Sequence, residues 1–139
     1  MSELKELAAE AKHELLTHII PFWRGMRDDK FGGYYGYLSY DLALDEKAEK
    51  GCILNSRITW FFANAYLLYK DGGISEEECE AAGFKGEDLL AEAKHGYEFL
   101  REHCIDKEYG GIFWSLNYDG TPLDTTKHTY NQAFCIYAL

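Results

Sequence analysis

The sequence lacks a surplus of basic residues and a long apolar run. Its 14 Lys and Arg are outnumbered by 24 Asp and Glu, and the net charge is −10. This charge argues against nucleic acid or an anionic membrane as a partner, because both attract basic surfaces. No apolar run approaches the roughly 20 residues of a membrane span, and residues 1–6 do not resemble a secretory signal. These absences predict a cytoplasmic protein.

The sequence also lacks a paired cysteine motif. Its four cysteines are widely spaced, and none forms a C-x-x-C pair. We therefore predict reduced, mostly buried thiols, with neither a zinc site nor a disulfide framework. In contrast, the 11 Tyr, 8 Phe and 3 Trp residues exceed what a core of this size needs. Some of these rings are expected to line a surface or a pocket.

Three blocks of the sequence occur twice in the same order. They are residues 9–13 and 91–95, residues 28–35 and 106–113, and, more loosely, residues 56–63 and 126–133. Such a repeated unit cannot bury its apolar face alone and needs stacked neighbours. We therefore interpret residues 1–139 as the N-terminal portion of a single, longer repeat domain.

Each repeat is predicted to contain two kinds of helix. The stretch from Leu4 to Ile19 carries an apolar stripe on one face, and Pro21 is expected to end this outer helix. The stretch from Ile58 to Tyr69 is apolar nearly all round and should form a covered inner helix. Residues 130–139 repeat this inner pattern. Alternating outer and inner helices predict an all-α, two-layer α/α array.

Short hairpins and one insertion complete the predicted array. Alternating residues after each Gly-Gly pair predict hairpins at one end, the second closed by Asp119-Gly120. The insertion spans Asp71 to Asp88, and Ser75 followed by three Glu predicts a capped surface helix within it.

The starts of the inner helices are the most promising place for a site. Ser56 and Thr126 are predicted to cap these helices, whose N-termini gather at one end of a parallel array. A cation, aromatic rings and an amide at that end would suit a sugar or a developing anion. The candidates are Arg57, Trp60, Lys127, His128, Tyr130 and Asn131. Trp60 and Tyr130 would equally suit a core, and His13 and His95 are expected to be solvated.

Several motifs together resemble the N-terminal part of the cellobiose 2-epimerases, which belong with the N-acylglucosamine 2-epimerases. The resemblance covers the chain apart from the insertion. It implies an (α/α)6 barrel of twelve helices, of which this chain supplies roughly the first four. The motifs are Ile19-Ile20-Pro21-Phe22-Trp23, residues 27–38, Ser56-Arg57-Ile58-x-Trp60-Phe61, and Lys127-His128-Thr129-Tyr130-Asn131 with the apolar run after it.

The resemblance also implies a reaction. These enzymes interconvert glucose and mannose at the reducing end of β-1,4-linked disaccharides such as cellobiose and lactose, with no cofactor. A His removes the C2 proton, and an enediolate is reprotonated on its other face. By this resemblance Arg57 stabilises the enediolate, Tyr130 belongs to the pocket wall and Asn131 is a weaker substrate contact. The catalytic His residues are expected beyond Leu139, so the chain alone is expected to be inactive.

Three other functions remain open from the sequence. An inverting glycosidase on the same scaffold would need two carboxylates roughly 6.5–9.5 Å apart. The carboxylates available are Asp28, Asp45, Asp106 and Asp124. A non-catalytic α-solenoid would bind a partner on a concave face, although the apolar inner helices count against it. Within the resembling family, N-acylglucosamine or mannose specificity is the third alternative.

Overall fold

The computed structural model describes residues 3–139, so Met1 and Ser2 of the charged N-terminal stretch lie outside it. The chain is predominantly helical, as predicted, and its strands are short. The helices are α1 (Glu3–Glu14), α2 (Ile20–Gly25), α3 (Cys52–Lys70), α4 (Glu76–Ala81), α5 (Gly86–Phe99) and α6 (Thr129–Ala138), with π-helical turns at Leu15–Ile19 and Leu100–Cys104. The strands are β1 (Lys50–Gly51), β2 (Ser115–Leu116) and β3 (Pro122–Asp124).

The first outer helix continues past Pro21, so the prediction that proline ends it is wrong. A π-helical turn precedes the proline, and the N–H of Ile20 donates to the carbonyl of Leu15, five residues earlier. This wider turn lets Pro21 enter the first turn of α2, where a missing N–H and a fixed φ are tolerated. The helical path therefore ends at Met26.

The predicted apolar stripe of the outer helix is buried only in its second half. Leu16 and Ile20 are buried, whereas Leu4 is 78% exposed and Leu7 is 62% exposed. The first turns of α1 extend beyond the elements that could cover them within residues 3–139. An ion pair between Lys12 and Glu78, with 2.6 Å between nitrogen and oxygen, joins α1 to α4.

Both inner helices begin away from their predicted caps. Helix α3 begins at Cys52, so Ser56 lies in its second turn and donates to the carbonyl of Cys52. Helix α6 begins at Thr129, and Thr126 instead donates to Asp124 in the preceding turn. The predicted caps are wrong because a serine hydroxyl can also bond back to the carbonyl four residues earlier inside a helix.

The two Gly-Gly turns, the first at Gly32-Gly33 and the second at Gly110-Gly111, share one hydrogen-bond pattern. In the first, the N–H of Asp28 donates to the carbonyl of Gly33, and Asp28 Oδ1 accepts from two backbone N–H groups. Asp106 repeats each of these bonds in the second. Both glycines of each pair have positive φ, a conformation that non-glycine residues avoid. The second block of the repeat is therefore a true structural repeat.

A lysine placed just before each inner helix anchors the aspartate of its turn. Lys50 Nζ lies 2.6 Å from Asp28 Oδ2 and 2.7 Å from the carbonyl of Gly32, and both side chains of the ion pair are fully buried. In the second repeat Lys127 pairs with Asp106, and the lysine side chain is 30% exposed. Lys127 is therefore the counterpart of Lys50, not of Arg57, which corrects the register of the third block.

The pKa values of the two aspartates follow from these contacts. Burial alone would raise the pKa of Asp28, but the hydrogen bonds from Lys50 and from two backbone N–H groups outweigh it and hold the pKa below its ordinary value. The hydrogen bond from Lys127 lowers the pKa of Asp106. Both carboxylates therefore stabilise the fold in their charged form.

Helix α5 packs against the first Gly-Gly turn and α3. Tyr34 is fully buried, and its hydroxyl donates to the side chain and the carbonyl of Glu92. Burial, followed by the negative charge of Glu92, raises the pKa of Tyr34. Arg24 of α2 and Arg27, just after this helix, both pair with Glu92 and so tie the end of the outer helical path to α5.

His95 is partly buried, so its prediction as a solvated residue is wrong. Its ring nitrogen Nε2 donates to the carbonyl of Gly33 at 2.9 Å, and the ring meets Tyr34 edge-on. His13 is exposed, as predicted.

The hairpin and insertion predictions are confirmed for the second half of the chain. Strands β2 and β3 pair antiparallel around Asp119-Gly120, and β1 adds to β2 to give a three-stranded sheet. The first repeat has only an isolated bridge between Leu38 and Leu44 in place of a full hairpin. Ser75 caps α4 in a reciprocal bond pattern with Glu78.

Replacing Lys50 should destabilise the chain much more than replacing Lys127. Lys50→Met leaves a buried, unpaired carboxylate, and we expect a loss of about 3–5 kcal/mol in the free energy of unfolding. Lys127→Met breaks a partly exposed pair and should cost about 1 kcal/mol or less. Urea unfolding followed by circular dichroism measures both. Equal losses would contradict the central role of the buried pair.

The loss caused by Lys50→Met should depend on pH. Because the folded pKa of Asp28 is lowered, its contribution is complete above the unfolded pKa of about 3.9 and disappears as the pH falls through the folded value. The difference between the wild type and the variant should therefore shrink in acid. Adding Asp28→Asn to Lys50→Met should recover part of the stability at neutral pH, because no buried charge then remains.

The two Gly-Gly turns provide a matched test of steric crowding. A Cβ on Gly32 would lie 3.2 Å from the Phe99 ring, whereas a Cβ on its counterpart Gly110 would meet nothing within 4 Å. Both have positive φ, so Gly110→Ala should cost about 1–2 kcal/mol from strain alone. Gly32→Ala should lose roughly 1 kcal/mol more from overpacking. Similar unfolding midpoints for the two variants would show that Phe99 yields freely.

Candidate functional site

A cleft lies beside the exposed side of α3, where α6 and α2 approach it. It has a volume of about 520 Å³ and is walled mainly by aromatic rings. Among the residues that the structure describes, Arg57 is the only charged one that lines the cleft. The lining residues are Trp23, Leu54, Arg57, Ile58, Trp60, Phe61, Phe134 and Tyr137.

Arg57 is the one arginine without an acidic partner among residues 3–139. Arg24, Arg27 and Arg101 each pair with a carboxylate. Arg57 is exposed, and the central carbon of its guanidinium lies 6.0 Å from the centre of the Phe134 ring. An arginine held against a ring keeps its N–H donors available for an oxygen-rich ligand.

Trp60 forms a flat wall of the cleft together with Tyr137. Their ring centres are 5.2 Å apart and the planes are inclined by 24°. Trp60 is 37% exposed, so part of its face remains open to a ligand. The alternative prediction, a core position for Trp60, is not what the structure shows.

Tyr130 and Asn131 do not line the cleft. Tyr130 is exposed one turn away, where its ring meets Phe134 edge-on with centres 4.8 Å apart. Asn131 is fully buried, and its Nδ2 donates to the carbonyl of Phe113 at 2.5 Å. Within residues 3–139, its Oδ1 has no hydrogen-bond partner. Tyr130 and Asn131 as substrate contacts therefore stay predictions.

The observed start of α3 removes the helix dipole as a source of positive potential at Arg57. Arg57 lies in the second turn of α3, so it is not at the positive end of the helix dipole. Lys127 serves the Gly-Gly turn, and His128 precedes α6 with its ring against Trp114. The positive potential of the cleft therefore comes from the Arg57 side chain.

Phe134 and Tyr137 line the cleft but were not among the residues predicted from the sequence. With Lys50 matched to Lys127, Phe134 occupies the position of Arg57 in the second repeat, and Tyr137 occupies that of Trp60. The signal for this register was the lysine that precedes each inner helix. The third block of the repeat was aligned at a different offset, because two apolar helices can be matched equally well in several registers.

No three His, Cys, Asp or Glu residues within 3–139 are grouped so that they could hold a metal ion. None of the helices that the structure describes combines the length and apolarity of a membrane span.

Comparisons with known proteins point to one family. The profile described as N-acylglucosamine 2-epimerase (GlcNAc 2-epimerase) matches residues 33–139, which is more than half of the chain. The cellobiose 2-epimerase of Ruminococcus albus is 52% identical over 133 residues, covering 96% of this chain and 30% of the relative. The cellobiose 2-epimerase of Eubacterium cellulosolvens is 54% identical over 126 residues, covering 91% of this chain and 27% of the relative.

Solved structures agree with the sequence relatives. A sugar epimerase from a ruminal bacterium superposes with a TM-score of 0.81 at 52% identity, covering 95% of this chain and 30% of the other. The cellobiose 2-epimerase of Bacillus thermoamylovorans superposes with a TM-score of 0.84 at 40% identity, covering 96% of this chain and 31% of the other. The chain therefore spans about 30% of the length of the relatives it matches. It belongs to the N-acylglucosamine 2-epimerase family.

Proposed function

We propose that these residues form the N-terminal portion of an (α/α)6-barrel sugar 2-epimerase. The reaction is the interconversion of glucose and mannose at the reducing end of β-1,4-linked disaccharides such as cellobiose and lactose. The relatives that are 52% and 54% identical are named cellobiose 2-epimerases, which supports this substrate class. The proposed enzyme works in the cytoplasm and needs no cofactor.

The guanidinium of Arg57, which has no acidic partner among residues 3–139, is the observation that carries the proposal. Removing a proton next to a carbonyl develops negative charge on the sugar oxygens, and a fixed positive group must stabilise that charge. Arg57 lies in a cleft walled by rings, and further elements that close this cleft would lower the local dielectric and strengthen the interaction. Its forked donors can hold two neighbouring oxygens of an enediolate at once.

The aromatic wall supplies the second part of sugar recognition. The faces of sugar rings carry apolar C–H groups, which pack on flat aromatic surfaces. Trp60, stacked on Tyr137, offers such a surface beside Arg57. Tyr130, exposed at the next turn of α6, is proposed to join the pocket wall once further elements close it.

Acid and base groups for the proton transfer are proposed to lie beyond Leu139. None of the five His residues lines the cleft within the described part of the chain. His95 and His103 donate to backbone carbonyls, and His18 contacts Glu14. With Arg57 present but no His beside it, the chain alone is proposed to be inactive.

The structure weakens the glycosidase alternative. Asp28 and Asp106 are neutralised by their lysines. Asp45 and Asp124 accept backbone hydrogen bonds in turns. No carboxylate lines the cleft among residues 3–139. A D-mannose isomerase of Marinomonas mediterranea is 28% identical over 134 residues, so free mannose is the nearest alternative substrate.

Solvent hydrogen should enter the product if the reaction passes through an enediolate. We expect the complete protein, incubated with cellobiose in deuterated water, to place deuterium at C2 of the reducing-end sugar as the epimer forms. Mass spectrometry and NMR measure the label, and the 139-residue chain alone should give neither epimer nor label. Release of free glucose without epimer would indicate a glycosidase instead.

Replacing Arg57 in the complete protein should reduce turnover much more than stability. Arg57→Ala removes the charge that stabilises the enediolate, and we expect a loss in kcat/KM of roughly 10²–10³-fold, by analogy with oxyanion-hole donors. Arg57→Lys keeps the charge without the forked geometry and should recover only part of the rate. Steady-state kinetics with cellobiose and thermal unfolding measure the two effects.

Arg101→Ala is the matched control for Arg57→Ala. Arg101 pairs with its neighbour Glu102 on the surface, and its removal should leave the rate unchanged. If Arg57→Ala lowers the melting temperature while the activity of the folded fraction is retained, Arg57 is a structural residue and the site assignment is wrong.

A further inference from the structure

Three of the four cysteines share one buried cluster at the start of α3. Cys52, Cys104 and Cys135 are at most 2% exposed, and they pack in the core that also holds the ring of Phe99. Cys79 is equally buried but belongs to the other core cluster. All four thiols are free. The first cluster therefore brings together cysteines that are far apart in sequence.

Cys52 and Cys104 are held by two adjacent residues just before β2. The N–H of Phe113 donates to the carbonyl of Cys104, and the N–H of Cys52 donates to the carbonyl of Trp114. Cys104 ends the π-helical turn after α5, and Cys52 begins α3. Two helical segments from different repeats thus meet at one short stretch of chain, and each contributes a thiol there.

The Cys52 thiol is close enough to affect the ionisation of Cys104. This neighbouring thiol, followed by burial, raises the pKa of Cys104 well above its ordinary value, while the charge of Lys50 acts in the opposite direction. Burial also raises the pKa of Cys135, and the hydroxyl of Ser56 opposes that shift. Cys52 and Cys104 are therefore the two thiols in closest polar contact, whereas Cys135 meets a serine.

We infer that Cys52 and Cys104 form a latent disulfide site, which a small hydroperoxide such as hydrogen peroxide converts into a covalent link. The sulfur of one thiol attacks a peroxide oxygen, the O–O bond breaks, and a sulfenic acid and water form. The sulfur of the second thiol then attacks the sulfenic sulfur, and the hydroxyl leaves with the thiol proton as water. In sum, two thiols and one hydrogen peroxide give one disulfide and two waters, and two electrons pass from sulfur to oxygen.

Burial makes this reaction slow and selective. The thiolate is the nucleophile, and a raised pKa keeps its population low at neutral pH. The oxidant reaches the cluster only when the chain opens locally, which favours a small uncharged molecule over a bulky reagent. Mildly alkaline pH should therefore accelerate the oxidation. Once formed, the link joins α3 to the turn after α5 and stabilises the fold by restricting the unfolded chain.

The first repeat supplies matched substitutions for both cysteines. Met26 accepts the same backbone hydrogen bond in the first repeat that Cys104 accepts in the second. Thr129 is the first residue of α6, as Cys52 is the first residue of α3. Cys104→Met and Cys52→Thr thus replace each cysteine by the residue that the chain itself uses at the equivalent place.

Peptide mapping of the oxidised protein tests the inference without an activity assay. The complete protein is incubated with hydrogen peroxide, the remaining thiols are blocked, and digests are compared by mass spectrometry before and after reduction. We expect a Cys52–Cys104 linkage in the wild type and in the control Cys79→Ala. The linkage should raise the melting temperature by roughly 5 °C or more, and a reducing agent should reverse this rise.

The two matched variants should show neither the linkage nor the rise, and their melting temperatures should not depend on the reducing agent. Three outcomes would overturn the inference. The first is a Cys52–Cys135 linkage as the main product, and the second is oxidation of separate cysteines to sulfinic acid without any linkage. The third is a rise in melting temperature that persists in Cys104→Met. The site does not depend on the proposed sugar chemistry.

Discussion

The buried ion pair between Lys50 and Asp28 is the contact on which the rest of the structure depends. It fixes the end of β1, where α3 begins, to the Gly-Gly turn that ends the outer helical path. A buried charge pair is favourable only if its remaining hydrogen-bonding groups are satisfied. Here the carbonyl of Gly32 and two backbone N–H groups satisfy them. The turn cannot move without exposing a charge, so it presents a rigid surface to α5.

The candidate cleft results from a divergence between equivalent positions of two repeats. Arg57 and Trp60 face Phe134 and Tyr137, which hold the same places in the next inner helix. One repeat therefore provides the charge and a ring, and the other provides only rings. Two copies of one scaffold can in this way create an asymmetric site while the turns that hold them remain alike. The same asymmetry leaves the guanidinium free, because the second repeat offers it no carboxylate within the described residues.

Much of the fold could be predicted because it depends on local patterns. The Gly-Gly turns, the hairpin at Asp119-Gly120 and the capped helix after Ser75 each follow from residues adjacent in sequence. The helix starts could not be predicted, since a strand that pairs with a distant partner fixes where α3 begins. Continuation of the helix through Pro21 depended on a π-helical turn that shows no clear sequence signal. The partial burial of His95 could not be predicted, because it depends on the packing of α5 against the first Gly-Gly turn.

The sequence by itself determined the repeat and the helical class, and it made Arg57 and Trp60 candidates for the site, because repetition, periodicity and residue chemistry can be read along the chain. Only the tertiary structure decided the register that matches Lys127 with Lys50, the burial of Asn131 and the ring that lies over the first Gly-Gly turn. These features depend on contacts between residues far apart in sequence, such as Phe99 against Gly33. Close packing selects one such arrangement among several with similar local patterns.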